Sequence, residues 1–100
     1  IMQSVQAYIH ANLDRKITLQ DAAASACISP GYLSSLFKRA YGENFVDYVN
    51  RTKIERACGL IREGNRRIGQ IAQMLGFENA YYFSRVFKRY VGMTPTEYLR

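Results

Sequence analysis

Tyr82-Phe83-Ser84-Arg85-Val86-Phe87-Lys88-Arg89-Tyr90-Val91-Gly92 has a counterpart fifty residues earlier, Tyr32-Leu33-Ser34-Ser35-Leu36-Phe37-Lys38-Arg39-Ala40-Tyr41-Gly42, and six of the eleven positions are identical. The shared residues are Tyr32/Tyr82, Ser34/Ser84, Phe37/Phe87, Lys38/Lys88, Arg39/Arg89 and Gly42/Gly92, and Tyr48/Tyr98 keeps the same offset. Within each copy the apolar residues return at helical spacing. The spacing therefore predicts two amphipathic helices that pack through Tyr32, Leu33, Leu36 and Phe37 in the first copy and through Tyr82, Phe83, Val86, Phe87 and Tyr90 in the second. Gly31, Ser34, Ser35 and Lys38 are left facing outward on the first; Asn79, Tyr81, Arg85, Lys88 and Arg89 are left on the second.

A shorter helical pattern precedes each copy. Ala22-Ala23 corresponds to Ile71-Ala72, and Ile28 corresponds to Phe77 if the second turn carries one inserted residue. Each unit thus reads as a short helix, a turn and a longer helix with a polar outer face, the helix-turn-helix plan. The rest of the chain is helical as well. Val5, Tyr8, Ile9 and Leu13 mark a first helix; Thr18 caps a second that ends near Ala26; Ser29-Pro30 opens the third. Asn44 caps a long helix with Phe45, Val49, Ile54, Ala57, Leu60 and Ile61 as its apolar positions, ending at Gly64. Ile68, Ile71, Ala72 and Leu75 form the fifth, Asn79 caps the sixth, and Thr94-Pro95-Thr96-Glu97 is a capping box that starts a seventh. The expected fold is all-α: seven helices forming two helix-turn-helix subdomains, 1–43 and 65–100, joined by a long connecting helix, 44–64.

Composition narrows the function. A chain of 100 residues with 48% hydrophobic content suits one compact domain. Its net charge of +6 lies wholly in residues 51–100, which suits a polyanionic partner. Cys27 and Cys58 form no CxxC pair and have only His10 as a nitrogen co-ligand, so neither a metal site nor a disulfide framework is indicated; both read as small, partly buried apolar residues. No carboxylate pair, activated nucleophile, metal cluster or phosphate-binding glycine loop is present, so an enzyme is the least favoured class and no cofactor is expected. With no apolar run of membrane length and no leader pattern, the expectation is a soluble, cytoplasmic protein without a membrane partner. The chain opens on Ile1 and stops at Arg100 within a helical pattern, and it reads as a fragment of a longer protein.

A major groove about 12 Å wide admits one helix, and its faces recur roughly every 34 Å along the duplex. The long helix, at about 20 residues, spans roughly 30 Å, a reach that suits delivery of both reading helices to one DNA face. The base-reading candidates are Gly31, Ser34, Ser35 and Lys38 in the first unit and Asn79, Ala80, Tyr81, Ser84 and Arg85 in the second. Arg85 fits a bidentate pair with guanine. The phosphate candidates are Arg39, Arg51, Arg66, Arg67, Lys88 and Arg89. On the connector, Arg51, Lys53 and Arg56 either touch phosphate or pair with Glu55 and other carboxylates, the structural role being favoured for Arg56. The competing reading is a helical protein-interaction module whose basic face meets an acidic partner.

Gly76-Phe77-Glu78-Asn79-Ala80-Tyr81-Tyr82-Phe83-Ser84-Arg85-Val86-Phe87-Lys88-Arg89-Tyr90, continued by Gly92-Met93-Thr94-Pro95-Thr96-Glu97-Tyr98, resembles the signature of the AraC/XylS transcription regulators. Ile28-Ser29-Pro30-Gly31-Tyr32-Leu33 through Phe37-Lys38-Arg39 resembles that family's first unit, so the likeness covers essentially the whole chain. The resemblance implies a bacterial transcription factor whose two reading helices enter adjacent major grooves of promoter double-stranded DNA, with RNA polymerase as a further partner. By family position Gly31, Ser34, Ser35, Lys38, Ala80, Tyr81, Ser84 and Arg85 face the bases, although Gly31, Ser34, Ser35 and Ala80 are smaller than many relatives carry there. Cys27 stands at a turn where glycine is common. Gly42 through Val49, with Arg51 and Ile54-Glu55-Arg56-Ala57, looks similar to regulators that have a receiver domain upstream, so a receiver or sensory domain is expected in the full-length protein.

Overall fold

The computed structural model describes residues 1–100 as seven α-helices: α1 (Met2–Ala11), α2 (Leu19–Ser25), α3 (Pro30–Tyr41), α4 (Phe45–Glu63), α5 (Ile68–Met74), α6 (Ala80–Val91) and α7 (Pro95–Leu99). Side chains written into the sequence set where these helices begin. The Thr18, Ser29, Asn44, Asn79 and Thr94 side-chain oxygens accept the backbone N–H three residues on, at 3.1, 3.2, 2.8, 2.7 and 3.2 Å. Each satisfies a donor that a helix start leaves without an intrahelical partner. At α7 the box is reciprocal, because Glu97 Oε1 accepts the Thr94 N–H at 2.9 Å. That backbone bond, reinforced by the Thr94 side chain, holds the Glu97 carboxyl below its ordinary pKa. α3 and α6 stop alike: Gly42 (φ 71°) and Gly92 (φ 91°) turn left-handed and donate to the carbonyls of Lys38 and Lys88.

The chain divides into two compact units, unit 1 being Ile1–Leu13 with Ile17–Val49 and unit 2 being Asp14–Lys16 with Asn50–Arg100. Unit 1 closes around Val5, Ile9, Ala22, Ala23, Leu33, Phe37, Phe45, Tyr48 and Val49. Phe37 is its centre, within 5.1–5.2 Å, ring centre to ring centre, of Tyr41, Phe45 and Tyr48. Unit 2 buries Ile54, Ala57, Leu60, Ile61, Ile71, Ala72, Leu75, Phe83, Val86 and Phe87. There Phe83 lies 5.1 Å from Phe77 and 5.8 Å from Phe87, and Tyr98 sets its edge on Phe87 at 5.5 Å. Edge-on and tilted contacts of this kind add to what burial of the rings contributes.

The two turns within the helix-turn-helix units share one hydrogen-bond pattern. Ile28 donates to Ala23 O at 3.0 Å and Cys27 to Ala24 O at 3.1 Å; in the second unit Phe77 donates to Ala72 O and Gly76 to Gln73 O, both at 3.1 Å. This double closure needs a left-handed residue after the helix. Gly76 supplies it at φ 74°, Cys27 at φ 58°. The inserted residue of the second turn is Glu78, which lies between Phe77 and the cap Asn79, whereas Ile28 is followed directly by the cap Ser29. No helix is long and apolar enough to cross a membrane.

Three expectations are corrected. Tyr32 and Tyr82 leave the buried stripe: they are 48% and 46% exposed. The burial axis runs through Leu33–Phe37 and Phe83–Phe87, and a one-residue step turns a side chain about 100° away from it. Cys27 is exposed rather than partly buried, because the left-handed turn position carries it off the end of α2. Lys53, assigned to phosphate or a carboxylate, is buried at 4% exposure and donates to two backbone carbonyls, Arg15 O at 2.7 Å and Leu75 O at 2.6 Å.

Cys27 gives a stability prediction. A left-handed conformation costs an L-residue roughly 1–2 kcal/mol, and glycine removes that cost while returning about 0.4–1 kcal/mol to the unfolded chain as entropy. Cys27→Gly is expected to raise stability by about 0.5–1 kcal/mol, seen as a melting temperature several degrees higher. A lower melting temperature would mean that the thiol makes a contact worth more than the strain.

Candidate nucleic-acid interface

Burial of the apolar stripe determines what α3 and α6 present to solvent. On α3, Gly31, Ser34, Ser35, Lys38 and Arg39 are all exposed; on α6, Ala80, Tyr81, Arg85, Lys88 and Arg89 are exposed, with Asn79 exposed just before and Ser84 half-buried. The two surfaces share a frame and differ in reach. Gly31 and Ser35 of the first stand where Tyr81 and Arg85 stand in the second, fifty positions on. Both surfaces carry a basic pair, Lys38-Arg39 and Lys88-Arg89; beside it the first has only hydroxyls and a glycine, and Lys38 Nζ lies 3.5 Å from Gly42 O. The second projects a phenol and a guanidinium, with Arg85 over the Tyr81 ring at 5.9 Å.

One of the nine base-reading candidates already holds a structural position, and another has no side chain with which to read. Asn79 spends its side-chain oxygen on the α6 cap, and Gly31 lies in the first turn of α3, where an added Cβ would meet nothing within 4 Å. Among the phosphate candidates, Arg51 pairs with Glu55 at 3.3 Å and Arg66 with Glu63 at 3.0 Å. Arg67 is the residue at the start of α5, its N–H donated to Gln70 Oε1 at 2.9 Å, with an exposed side chain. Arg89 lies against the Tyr90 ring at 5.6 Å. Exposed ion pairs of the Arg51–Glu55 kind hold their partners weakly, by about 0–1 kcal/mol, so a phosphate can displace the carboxylate.

The basic side chains are distributed unevenly: unit 2 holds twelve of the fourteen Lys and Arg residues, and unit 1 only Lys38 and Arg39. Within unit 2 the buried Lys53 is the residue that sequence reasoning misplaced. Its ammonium caps the carbonyl of Leu75 at the end of α5, takes the carbonyl of Arg15 as well, and lies 5.5 Å from the Phe77 ring. It thereby fixes the turn from which α6 departs. The signal available in sequence was its place on the apolar side of α4, between Val49 and Ala57 and next to Ile54.

A model for a helix-turn-helix domain matches residues 22–100. The chain is 36% identical over 97 residues, 97% of its length, to the regulatory protein PocR of Salmonella typhimurium, and covers 32% of that protein. It spans about a third of the length of such curated relatives. Among solved structures, the C-terminal domain of the two-component response regulator yesN from Fusobacterium nucleatum superposes with a TM-score of 0.92 at 31% identity, covering 99% of this chain and 97% of that one. A transcriptional regulator from Chromobacterium violaceum, described as an AraC-type DNA-binding domain-containing protein, superposes at 0.90 with 25% identity, covering 97% and 87%. With the duplicated unit, the matched turns and a family model that covers most of its length, the chain belongs to the AraC-type helix-turn-helix family.

Proposed function

We propose that this chain binds double-stranded promoter DNA sequence-specifically and regulates transcription, α3 and α6 entering adjacent major grooves. The observation that carries the reading is the duplication of one frame with two outward faces that share a basic pair, Lys38-Arg39 and Lys88-Arg89, and differ where Gly31 and Ser35 give way to Tyr81 and Arg85. A repeated frame that keeps its basic pair and changes the side chains beside it suits the reading of two different short sequences. Phosphate contacts come from Arg39, Arg51, Arg66, Arg67, Lys88 and Arg89, and base contacts from the outward residues of both helices. Arg85 is the strongest of these, since a bidentate Arg–guanine pair contributes about 1–3 kcal/mol of discrimination.

The role is binding rather than catalysis, and it belongs in the bacterial cytoplasm, on the nucleoid. RNA polymerase is the natural second partner of a protein that acts at promoters. A receiver or sensory domain elsewhere in the whole protein is supported by the likeness to a response regulator's C-terminal domain and by the third of its relatives' length that the chain spans.

The experiment is a gel-shift comparison of a duplex selected from a random pool with its scrambled version, at physiological salt and over a salt series. Preference for the selected duplex is expected, with affinity falling steeply as salt rises. Arg85→Ala should flatten the preference at one base pair, while Lys88→Ala should weaken both duplexes equally and reduce the salt slope by about 0.9. Equal binding of selected and scrambled duplexes by the wild-type chain would refute sequence reading.

A further inference from the structure

We propose that Tyr81 is a positioning residue, its ring holding the Arg85 guanidinium in reading orientation before DNA is bound; the proposal rests on the reading of α6 as a base-contacting helix. Tyr81 and Arg85 are one helical turn apart on α6, with the guanidinium carbon 5.9 Å from the ring centre. Tyr81 is 73% exposed, more than any other large apolar side chain in the molecule. A ring so exposed buries little area, so the core gives no account of it. Nor does the helix-turn-helix frame need it, since unit 1 builds the same frame with Gly31 and Ser35 at the matching positions.

What the ring supplies is a surface for Arg85. At 5.9 Å the guanidinium lies within cation–π reach of the ring face, and a guanidinium held over a ring keeps N–H donors free at its rim to meet guanine O6 and N7. Arg85 takes part in none of the ion pairs that hold Arg15, Arg51 and Arg66 to carboxylates. Nothing competes with the ring for it. An arginine free in solvent gives up much rotamer freedom when it docks, and one biased toward a ring gives up less, so the bias strengthens the guanine contact.

The test uses a selected duplex and the base pair whose preference Arg85→Ala abolishes, measuring affinity for guanine over adenine there. Tyr81→Leu is expected to lower that ratio about two- to five-fold, the effect of losing one exposed cation–π contact, with the salt slope unchanged because no charge is removed. Tyr81→Phe should keep the wild-type ratio, and Tyr81→Leu should have no effect at that base pair in an Arg85→Ala background. The proposal is overturned if Tyr81→Leu matches wild type, if Tyr81→Phe loses as much as Tyr81→Leu, or if Tyr81→Leu still lowers the ratio without Arg85. A wild-type chain that discriminates while Arg85→Ala changes no base pair removes this role alone; one that binds every duplex equally removes the base-reading of α6 with it.

Discussion

Gly76→Ala is expected to cost unit 2 about 3–5 kcal/mol, lowering its melting temperature by more than 10 °C. Two effects add. Gly76 sits at φ +74°, where any L-residue pays roughly 1–2 kcal/mol. A Cβ built there would also lie 2.5 Å from the carbonyl carbon of Arg15, 2.7 Å from its Cα and 2.9 Å from its nitrogen. Backbone atoms cannot swing aside as a side-chain tip can, so either the turn or the segment Asp14–Lys16 must move. The control is Gly42→Ala, at φ +71° with nothing within 4 Å of the added atom, which should cost only the conformational part less the entropy the unfolded chain loses, about 0.5–1 kcal/mol. Equal costs for the two, read from thermal melts with about 4–8 °C per kcal/mol for a domain of this size, would mean that the Arg15 backbone does not pack against the turn.

Lys53→Met should destabilise unit 2 by about 2–5 kcal/mol, although methionine fills similar space and is more apolar. The loss comes from the carbonyls of Arg15 and Leu75, which would be left without their donor where Lys53 is only 4% exposed. A buried polar group without a partner costs about 1–3 kcal/mol. The pH dependence follows from the same burial, which pushes the Lys53 ammonium from 10.5 down to about 8, against a smaller upward pull from Asp14. Between those two values the unfolded chain keeps a proton that the folded chain has released, so stability rises with pH across that window. A neutral amine still has N–H groups for the carbonyls. Wild type should therefore gain on Lys53→Met between pH 8 and 10.5 in denaturant titrations; a constant difference would place the lysine's pKa at its ordinary value.

How much of this was legible in the sequence depended on range. Helix starts were legible because caps are local: Thr18, Ser29, Asn44, Asn79 and Thr94 each act on a residue three positions away. The turn glycines and the insertion in the second turn followed from the repeat. The interior of α3 and α6 was legible to within one residue's rotation, and Tyr32 and Tyr82 fell on the wrong side of that margin because a two-residue-wide stripe fits the pattern equally well. Gly76 was legible as a turn residue, but the close approach behind it and the role of Lys53 were not, since both depend on Arg15, 61 residues from one and 38 from the other, brought beside them only by folding. The outward faces were legible as polar surfaces. Which phosphate candidates are tied to carboxylates, as Arg51 and Arg66 are, depended on rotamers that sequence does not specify.

The central claim is that both outward faces read DNA, each in its own groove. Hydroxyl-radical footprinting and base-interference mapping of the wild-type chain on a duplex selected from a random pool test it most directly. The account predicts two clusters of contacted bases on one face of the duplex, about 10 base pairs apart, with Arg85→Ala erasing a contact in one cluster and leaving the other intact. A single cluster, or a pool from which no sequence is enriched, would contradict it.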